Sequence, residues 1–286
     1  MKYIDRKNID PHKWNTCVES GPYYVPYARF EYLEAISNGS WGAIIEGNYK
    51  AVFPFAIKRK WGIFPYIYQP YFCQQLGIFG NPEKSNLHEF IKRIPWYFVR
   101  VHLNVNGYWG EPKTSVELPN LVKKAPHNIE NDFNKDALKN IRKLEGQQVY
   151  YTQTKDIRLI LKLYVAAWGE KANLQWPDDY RAFESACQSM QNQSLLYACL
   201  AHRGHELMGG ALFLKGKKRL HYVCAAPTKE GRDCGIMHGV VKHAIEHFPS
   251  YDLDFEGSQI PSVAAFYKKF GATNESYYRI ERTLWL

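Results

Sequence analysis

The sequence has no C-x-x-C pair. Its six cysteines (Cys17, Cys73, Cys187, Cys199, Cys224, Cys234) are scattered over 286 residues, several inside apolar strings such as Tyr197-Ala198-Cys199-Leu200. That spacing suits reduced, buried thiols and supplies neither a disulfide framework nor a zinc-ligand set. No stretch approaches the ~18 uninterrupted apolar residues of a membrane span. The opening Met1–Asn8 lacks the apolar run of a signal peptide. Internal repeats, low-complexity segments and an ordered set of base-stacking aromatics are also missing. These absences lead us to expect a cytoplasmic protein without metal or membrane span.

What is present is globular: 45% apolar and 23% charged side chains over a length that fits one large or two ordinary domains. The charge is basic, 37 against 28, a net of +9. Residues 1–126 hold 16 basic and 10 acidic side chains, and residues 127–286 hold 21 and 18. Such a surplus suits a polyanionic partner (a nucleotide, a phospho-substrate or RNA) but equally serves solubility.

Prolines at 112, 119 and 126 mark a seam, which places a domain boundary at residue 126. Before it, Trp41–Glu46 and Tyr49–Phe55 flank Gly47-Asn48 as a hairpin, with helices expected over Ala28–Ile36 and after Pro82. Trp61, Tyr66, Tyr68, Tyr71 and Phe72 could line a groove, but β-sheet core is the expected role. After the seam, helices are predicted over 136–144, from Asp156, and over Pro177–Met190. Strands follow over 195–201, 207–214 and 220–226, then helix 235–248, strand 251–255, helix 261–270 and a last strand 277–286. The class is mixed α/β.

The predicted strand Leu220–Ala226 runs directly into Pro227–Met237 and then a helix. A strand-to-helix loop exposes backbone N–H groups at a helix N-terminus, which is an anion site. Arg232 adds charge and Gly235 permits close approach, while Asp233 opposes an anion. Further on, Asp252, Asp254 and Glu256 alternate with Tyr251, Leu253 and Phe255, placing three carboxylates on one strand face. Glu256, at the strand's exit, is a candidate for orienting or deprotonating an amine. No histidine lies in that segment, so no metal is expected there. His238, His243 and His247 lie on the preceding helix; His243 and His247 are spaced i, i+4 as a ligand pair could be, but no Glu-x-x pattern accompanies them and solvated surface is the expected role.

Arg232-x-x-Gly235-x-Met237 resembles the pyrophosphate loop of the GCN5-related N-acetyltransferases (GNAT), with Met where that loop has a small residue. Ala264–Ala272 resembles the closing GNAT signature, with Ala272 in place of an aromatic. Leu253–Ser258 and Asn140–Lys143 resemble segments of FemAB-like tandem acyltransferases. The resemblance covers residues 127–286 well; residues 1–126 match only as a degenerate first half.

The resemblance implies two tandem GNAT-like domains, each a mixed, mostly antiparallel sheet flanked by helices: 1–126 on the acceptor side and 127–286 as acyltransferase. It further implies that two strands splay apart, 220–226 and 251–255, and that acetyl-CoA or another acyl-CoA binds Val223, Ala225, Gly231, Arg232, Cys234, Gly235, Ile236 and Met237. Tyr267 occupies the family's thiolate-donor position. The acceptor would be a small-molecule or peptide amine. Two rival readings stand beside this: a FemAB-like aminoacyltransferase drawing on aminoacyl-tRNA, and a non-catalytic binding protein that kept the fold.

Overall fold

The structure, a computed structural model, describes residues 1–83, 86–168, 178–257 and 259–283. The expected Pro177, Ser258 and the end of the last strand at 284–286 lie outside the described residues. The chain divides into two compact units, Met1–Leu118 with Ser276–Leu286, and Pro119–Glu275. The break therefore falls at 118/119 rather than at 126, and the C-terminal strand belongs to the first unit. Strand register is the physical reason. Tyr277–Thr283 pairs antiparallel with Arg100–Asn106 along its whole length, whereas Leu121–Lys123 is drawn into the second sheet.

The first unit contains β1 (Lys2–Asp5), β2 (Trp41–Glu46), β3 (Ala51–Lys60), β4 (Phe64–Tyr68), β5 (Phe79–Gly80), β6 (Arg100–Asn106) and β7 (Val116–Leu118). The sheet order is β1-β2-β3-β4-β6-C-terminal strand-β7, with β5 on β3. The β4–β6 pairing is parallel. Helices α1 (Pro11–Ser20), α2 (Phe30–Ile36) and α3 (Leu87–Lys92) accompany it. Asp10 fixes the start of α1 by accepting from the His12 and Lys13 N–H groups, with Pro11 in the first turn. That places Trp14 edge-on against Trp41 at 4.9 Å, its indole N–H donating to the Ala28 carbonyl. The expected aromatic core is only partly realised beyond this: Tyr66 and Tyr68 are half-buried, but Trp61 is 78% exposed and Tyr71 is exposed too. Trp61 sits on a hairpin tip, where no second layer can cover it.

The second unit contains β8 (Leu121–Lys123), β9 (Val149–Gln153), β10 (Leu196–Arg203), β11 (Glu206–Lys215), β12 (Arg219–Pro227), β13 (Asp252–Asp254) and β14 (Thr273–Asn274), in the order β14-β8-β13-β12-β11-β10-β9. Its helices are α4 (Ile129–Asp132), α5 (Lys135–Glu145), α6 (Arg158–Trp168), α7 (Asp178–Asn192), α8 (Lys229–Cys234), α9 (Ile236–His247) and α10 (Pro261–Lys268). Ala137, Ile141 and Leu144 of α5 and Val240, Val241 and Ala244 of α9 share one core with Tyr197, Phe213, Tyr222 and Phe255. The i, i+3, i+4 spacing read from the sequence is what gives both helices a single apolar face. Helix α6 lies against β11 and β12, where Gly210 leaves room for Ile160. All six cysteines are buried and unpaired with one another. No helix among the described residues is long and apolar enough to cross a membrane.

Candidate functional site

The site is built by an incomplete pairing. Strand β13 runs parallel to β12 for three residues only, Arg219↔Asp252, Leu220↔Leu253 and His221↔Asp254, while β11 accompanies β12 as far as Pro227. On the β11 side, Leu212 faces Cys224 and Phe213 faces Tyr222, so Val223 is an extra residue in β12. A bulge of this kind bends a strand and increases its twist. Beyond it, residues 222–225 of β12 line a cavity of about 500 Å³, together with Tyr164, Phe255, Glu256, Phe266 and Tyr267. That volume is in the range of a small-ligand pocket.

The turn out of β12 is more ordered than an open loop. Residues 229–234 form α8, whose N-cap Thr228 accepts from the Gly231 N–H. Arg232 and Gly235 donate their N–H groups to Thr228 and Arg232 carbonyls at 2.9 and 3.1 Å. The expectation of free amides from 231 to 237 is thereby corrected for Gly231, Arg232 and Gly235, because a helical turn consumes those donors. Helix α9 is different: Gly235, at φ +76°, is its N-cap, and no side chain caps it. The His238 N–H bonds the Gly235 carbonyl at 3.0 Å, so of the first-turn donors the Ile236 and Met237 N–H groups are what remains for an anion.

Nine of the ten residues singled out from the sequence line the cavity: Val223, Ala225, Gly231, Arg232, Gly235, Ile236, Met237, Glu256 and Tyr267. Cys234 does not; it is buried, and its thiol donates to the Gly231 carbonyl. Gly231 is a glycine for a packing reason, since a Cβ there would lie 1.9 Å from the Met208 carbonyl oxygen. Among the described lining residues Arg232 is the only lysine or arginine, and it is exposed.

Tyr267 stacks on Phe255 with ring centroids 4.4 Å apart and meets Tyr222 edge-on. Burial, reinforced by the nearby Glu256 carboxyl, pushes its phenol well above the usual range, so it stays protonated and can donate. Glu256 follows β13 with φ +58°, and Gly257 follows with φ +66°. A non-glycine residue in the left-handed region costs about 1–2 kcal/mol. The fold bears that cost while it turns the Glu256 side chain back onto β12. There its carboxyl Oε1 lies 2.5 Å from His221 Nδ1.

Burial raises the Glu256 carboxyl above its ordinary value, against the opposing pull of His221. Asp254, fully buried, accepts from Arg219 and from Asn120, each at 3.1 Å, and from the Glu256 N–H at 2.9 Å. Arg219 pairs with Asp254 at 3.1 Å and with Glu275 at 2.8 Å, so the His221–Glu256 hydrogen bond sits beside a paired guanidinium rather than a free one.

His221, Asp254 and Glu256 present three ligand-type atoms within 4.8 Å of one another, although no metal is expected from the sequence. His221 Nδ1 and Glu256 Oε1 face each other at 2.5 Å. Arg219 also occupies Asp254.

His221, Arg219 and Asn120 are the residues that sequence reasoning missed. A lone histidine inside an apolar strand was the only available signal; its partner is fixed by register with a strand 31 residues away. Of the histidines of α9, His247 is exposed, as expected of solvated surface, and His243 is half-buried. His238 is buried, with Nδ1 3.0 Å from the Gly235 carbonyl and its ring edge-on to Phe266. His243 stacks on Tyr151 and bonds the Tyr197 hydroxyl, and His247 stacks on Tyr197. Aromatic neighbours on β9 and β10 account for this: one face of α9 lies over them.

No protein-family model matches the chain. No curated protein matches it either. Solved structures do. One described as the crystal structure of FemX has 13% identity and a TM-score of 0.67, covering 98% of this chain and 97% of that one. The structure of L-PGS from Bacillus licheniformis has 10% identity and a TM-score of 0.62, covering 97% and 93%. The C-terminal domain of a putative lysylphosphatidylglycerol synthetase from Agrobacterium fabrum has 9% identity and a TM-score of 0.61, covering 94% and 90%. At such identities the likeness establishes the fold, a tandem GNAT-like architecture shared with FemX over nearly the full length.

Proposed function

We propose that the protein is an acyltransferase that moves an acyl group from an activated carbonyl donor to an amine, with the chemistry in the second unit and acceptor recognition in the first. One observation carries this reading: the unpaired β12 edge, the uncapped N-terminus of α9, a protonated phenol and a buried proton acceptor all border one cavity. The donor supplies a thioester or ester carbonyl, and the chain supplies the rest. The free N–H and C=O groups of β12 hold an extended arm by strand-like hydrogen bonds. The Glu256–His221 pair accepts the proton that the amine nitrogen loses as it bonds the carbonyl carbon. Tyr267 gives its proton to the sulfur or oxygen as the old bond breaks.

Acyl-CoA is the first reading of the donor, because the β12 edge leads to the uncapped N-terminus of α9, where a diphosphate would sit. A second donor, the aminoacyl ester of a tRNA, is favoured by specific features. Helix α8 has used the Gly231, Arg232 and Gly235 amides, Met237 lines the cavity, and Arg232 is the only lysine or arginine among the described lining residues. His238 lines it too, and its Nε2 makes no hydrogen bond among the described residues.

Calorimetric titration with CoA, beside turnover of acetyl-CoA and of aminoacyl-tRNA over a panel of amines, separates the two donors. Tyr267→Phe should lower kcat on the active donor by about 10²-fold or more with KM little changed. Turnover of neither donor, or full activity of Tyr267→Phe, would remove this reading.

A further inference from the structure

The first unit carries an apolar, basic protrusion that its own core does not use. Strands β3 and β4 meet in a tight hairpin, Lys60 opposite Phe64, with Trp61, Gly62 and Ile63 at the tip. Trp61 is 78% exposed and Ile63 66% exposed. A Cβ on Gly62 would meet nothing within 4 Å, so the tip stands clear of other packing. Trp61 itself has φ +53°, a conformation that Asn or Gly adopts at far lower cost than a bulky aromatic. The fold thus tolerates a strained backbone to hold an indole in water, where burial returns nothing.

A second segment lies alongside. The Val99 N–H donates to the Pro65 carbonyl at 3.0 Å, and Trp96, 79% exposed, begins the Trp96-Tyr97-Phe98 run on that turn. Residues 58–64 and 92–100 contain six cations (Lys58, Arg59, Lys60, Lys92, Arg93 and Arg100) and no acid. The acidic groups near them include Asp5, within electrostatic reach of the Tyr97 phenol, Glu89, paired with Lys92, and Glu281, which acts on His102 together with Arg100.

We propose that this tip docks the first unit onto an anionic lipid bilayer surface, with Trp61, Ile63 and Trp96 entering the interfacial layer and the flanking cations facing lipid phosphates. Tryptophan partitions to that layer, and basic residues close to it are attracted by anionic headgroups. The aliphatic Ile63 gains from hydrocarbon and has no counterpart in base stacking. One face of Trp61 is already covered by the Lys60 ammonium, 4.6 Å from the ring centroid, and Phe64 meets the ring edge-on. An interfacial indole keeps that cation beside a lipid phosphate. The inference is independent of the acyltransferase reading, since it uses no residue of the cavity.

The test is co-flotation of the full chain with vesicles of phosphatidylcholine alone and of phosphatidylcholine with phosphatidylglycerol at 3:1, at low and high salt. Binding to the anionic vesicles only, weakened by salt and accompanied by quenching of tryptophan fluorescence by chain-brominated lipid, is expected. The double variant Trp61→Ala/Trp96→Ala should lose at least 80% of the bound fraction, and Ile63→Asp at least half, both with unchanged melting temperature. No flotation of the intact protein would overturn the proposal. So would equal binding by the double variant, or retention of single-stranded RNA through these same tryptophans without vesicle binding.

Discussion

Glu256→Gln separates stability from catalysis in a way that only a buried, proton-accepting carboxyl should. The side chain is 12% exposed, its carboxyl is raised by burial, and its one strong partner is His221 at 2.5 Å. The amide of Glu256→Gln keeps the size and can still bond His221, but it cannot take a proton. If the pair is the base, kcat should fall by about 10²–10⁴-fold, which is about 3–5 kcal/mol of transition-state stabilisation. KM should stay within a fewfold, because the group acts on the proton in flight rather than on ground-state binding.

Stability should move the other way, with a definite pH sign. A carboxyl raised above its ordinary value of 4.5 contributes stability that is fully present below that value and lost as pH rises through the raised one. The variant has no such loss, so its melting temperature relative to the native chain should climb between pH 5 and pH 8. Removing a buried charge that the cluster cannot neutralise by itself is worth about 1–2 kcal/mol at the alkaline end. Calorimetry at the two pH values, beside steady-state kinetics on whichever donor turns over, reads both effects. Retention of kcat within threefold would refute the base assignment. A pH-independent difference in melting temperature would refute the raised carboxyl.

Two further outcomes follow from packing and charge. Gly231→Ala should destabilise the second unit by about 3 kcal/mol or displace α8, because the added methyl would sit 1.9 Å from backbone oxygen that cannot yield; a melting temperature within 2 °C of the parent would contradict it. Lys123, buried on β8, pairs with Asp132 at 2.7 Å, and the Lys123 ammonium holds the Asp132 carboxyl below its usual range. Stability from that pair is therefore present above an ordinary aspartate value and lost as pH falls through the lowered one. Asp132→Asn, which leaves the buried ammonium with the Lys124 carbonyl as its partner among the described residues, should cost about 1–3 kcal/mol at pH 7 and progressively less as pH falls below the ordinary aspartate value; an equal cost at every pH would show that the pair is not the cause.

Much of the second unit was legible because its elements obey local rules. Apolar spacing places α5 and α9, Asp156 marks the start of α6, and the strands expected over 195–201, 207–214 and 220–226 fall on β10, β11 and β12. What escaped was set by distant contacts. Strand β9 is a short polar-aromatic run, Val149–Gln153, that is a strand only because β10 pairs with it. Helix α8 is a six-residue turn with two charged first-turn residues and a threonine cap, below the length at which periodicity is readable. The C-terminal strand was recognisable as a strand, but no local signal says which sheet will take it.

The candidate site shows the same division, and it explains why the carboxylates could be found while their partner could not. Period-2 alternation identifies Asp252, Asp254 and Glu256 as one group whatever they pair with. His221 joins them only through the parallel register of β12 and β13. Those three paired residues do two jobs. Their pairing sets Arg219 and His221 against Asp254, giving Glu256 a place to share a proton; its end at His221↔Asp254 lets β12 bend away at Val223 and opens the cavity. A longer pairing would close the cleft, and a shorter one would leave Asp254 buried without its arginine. The proton-sharing pair and the open strand edge therefore have one structural cause, which is why they lie side by side at the mouth of the splay.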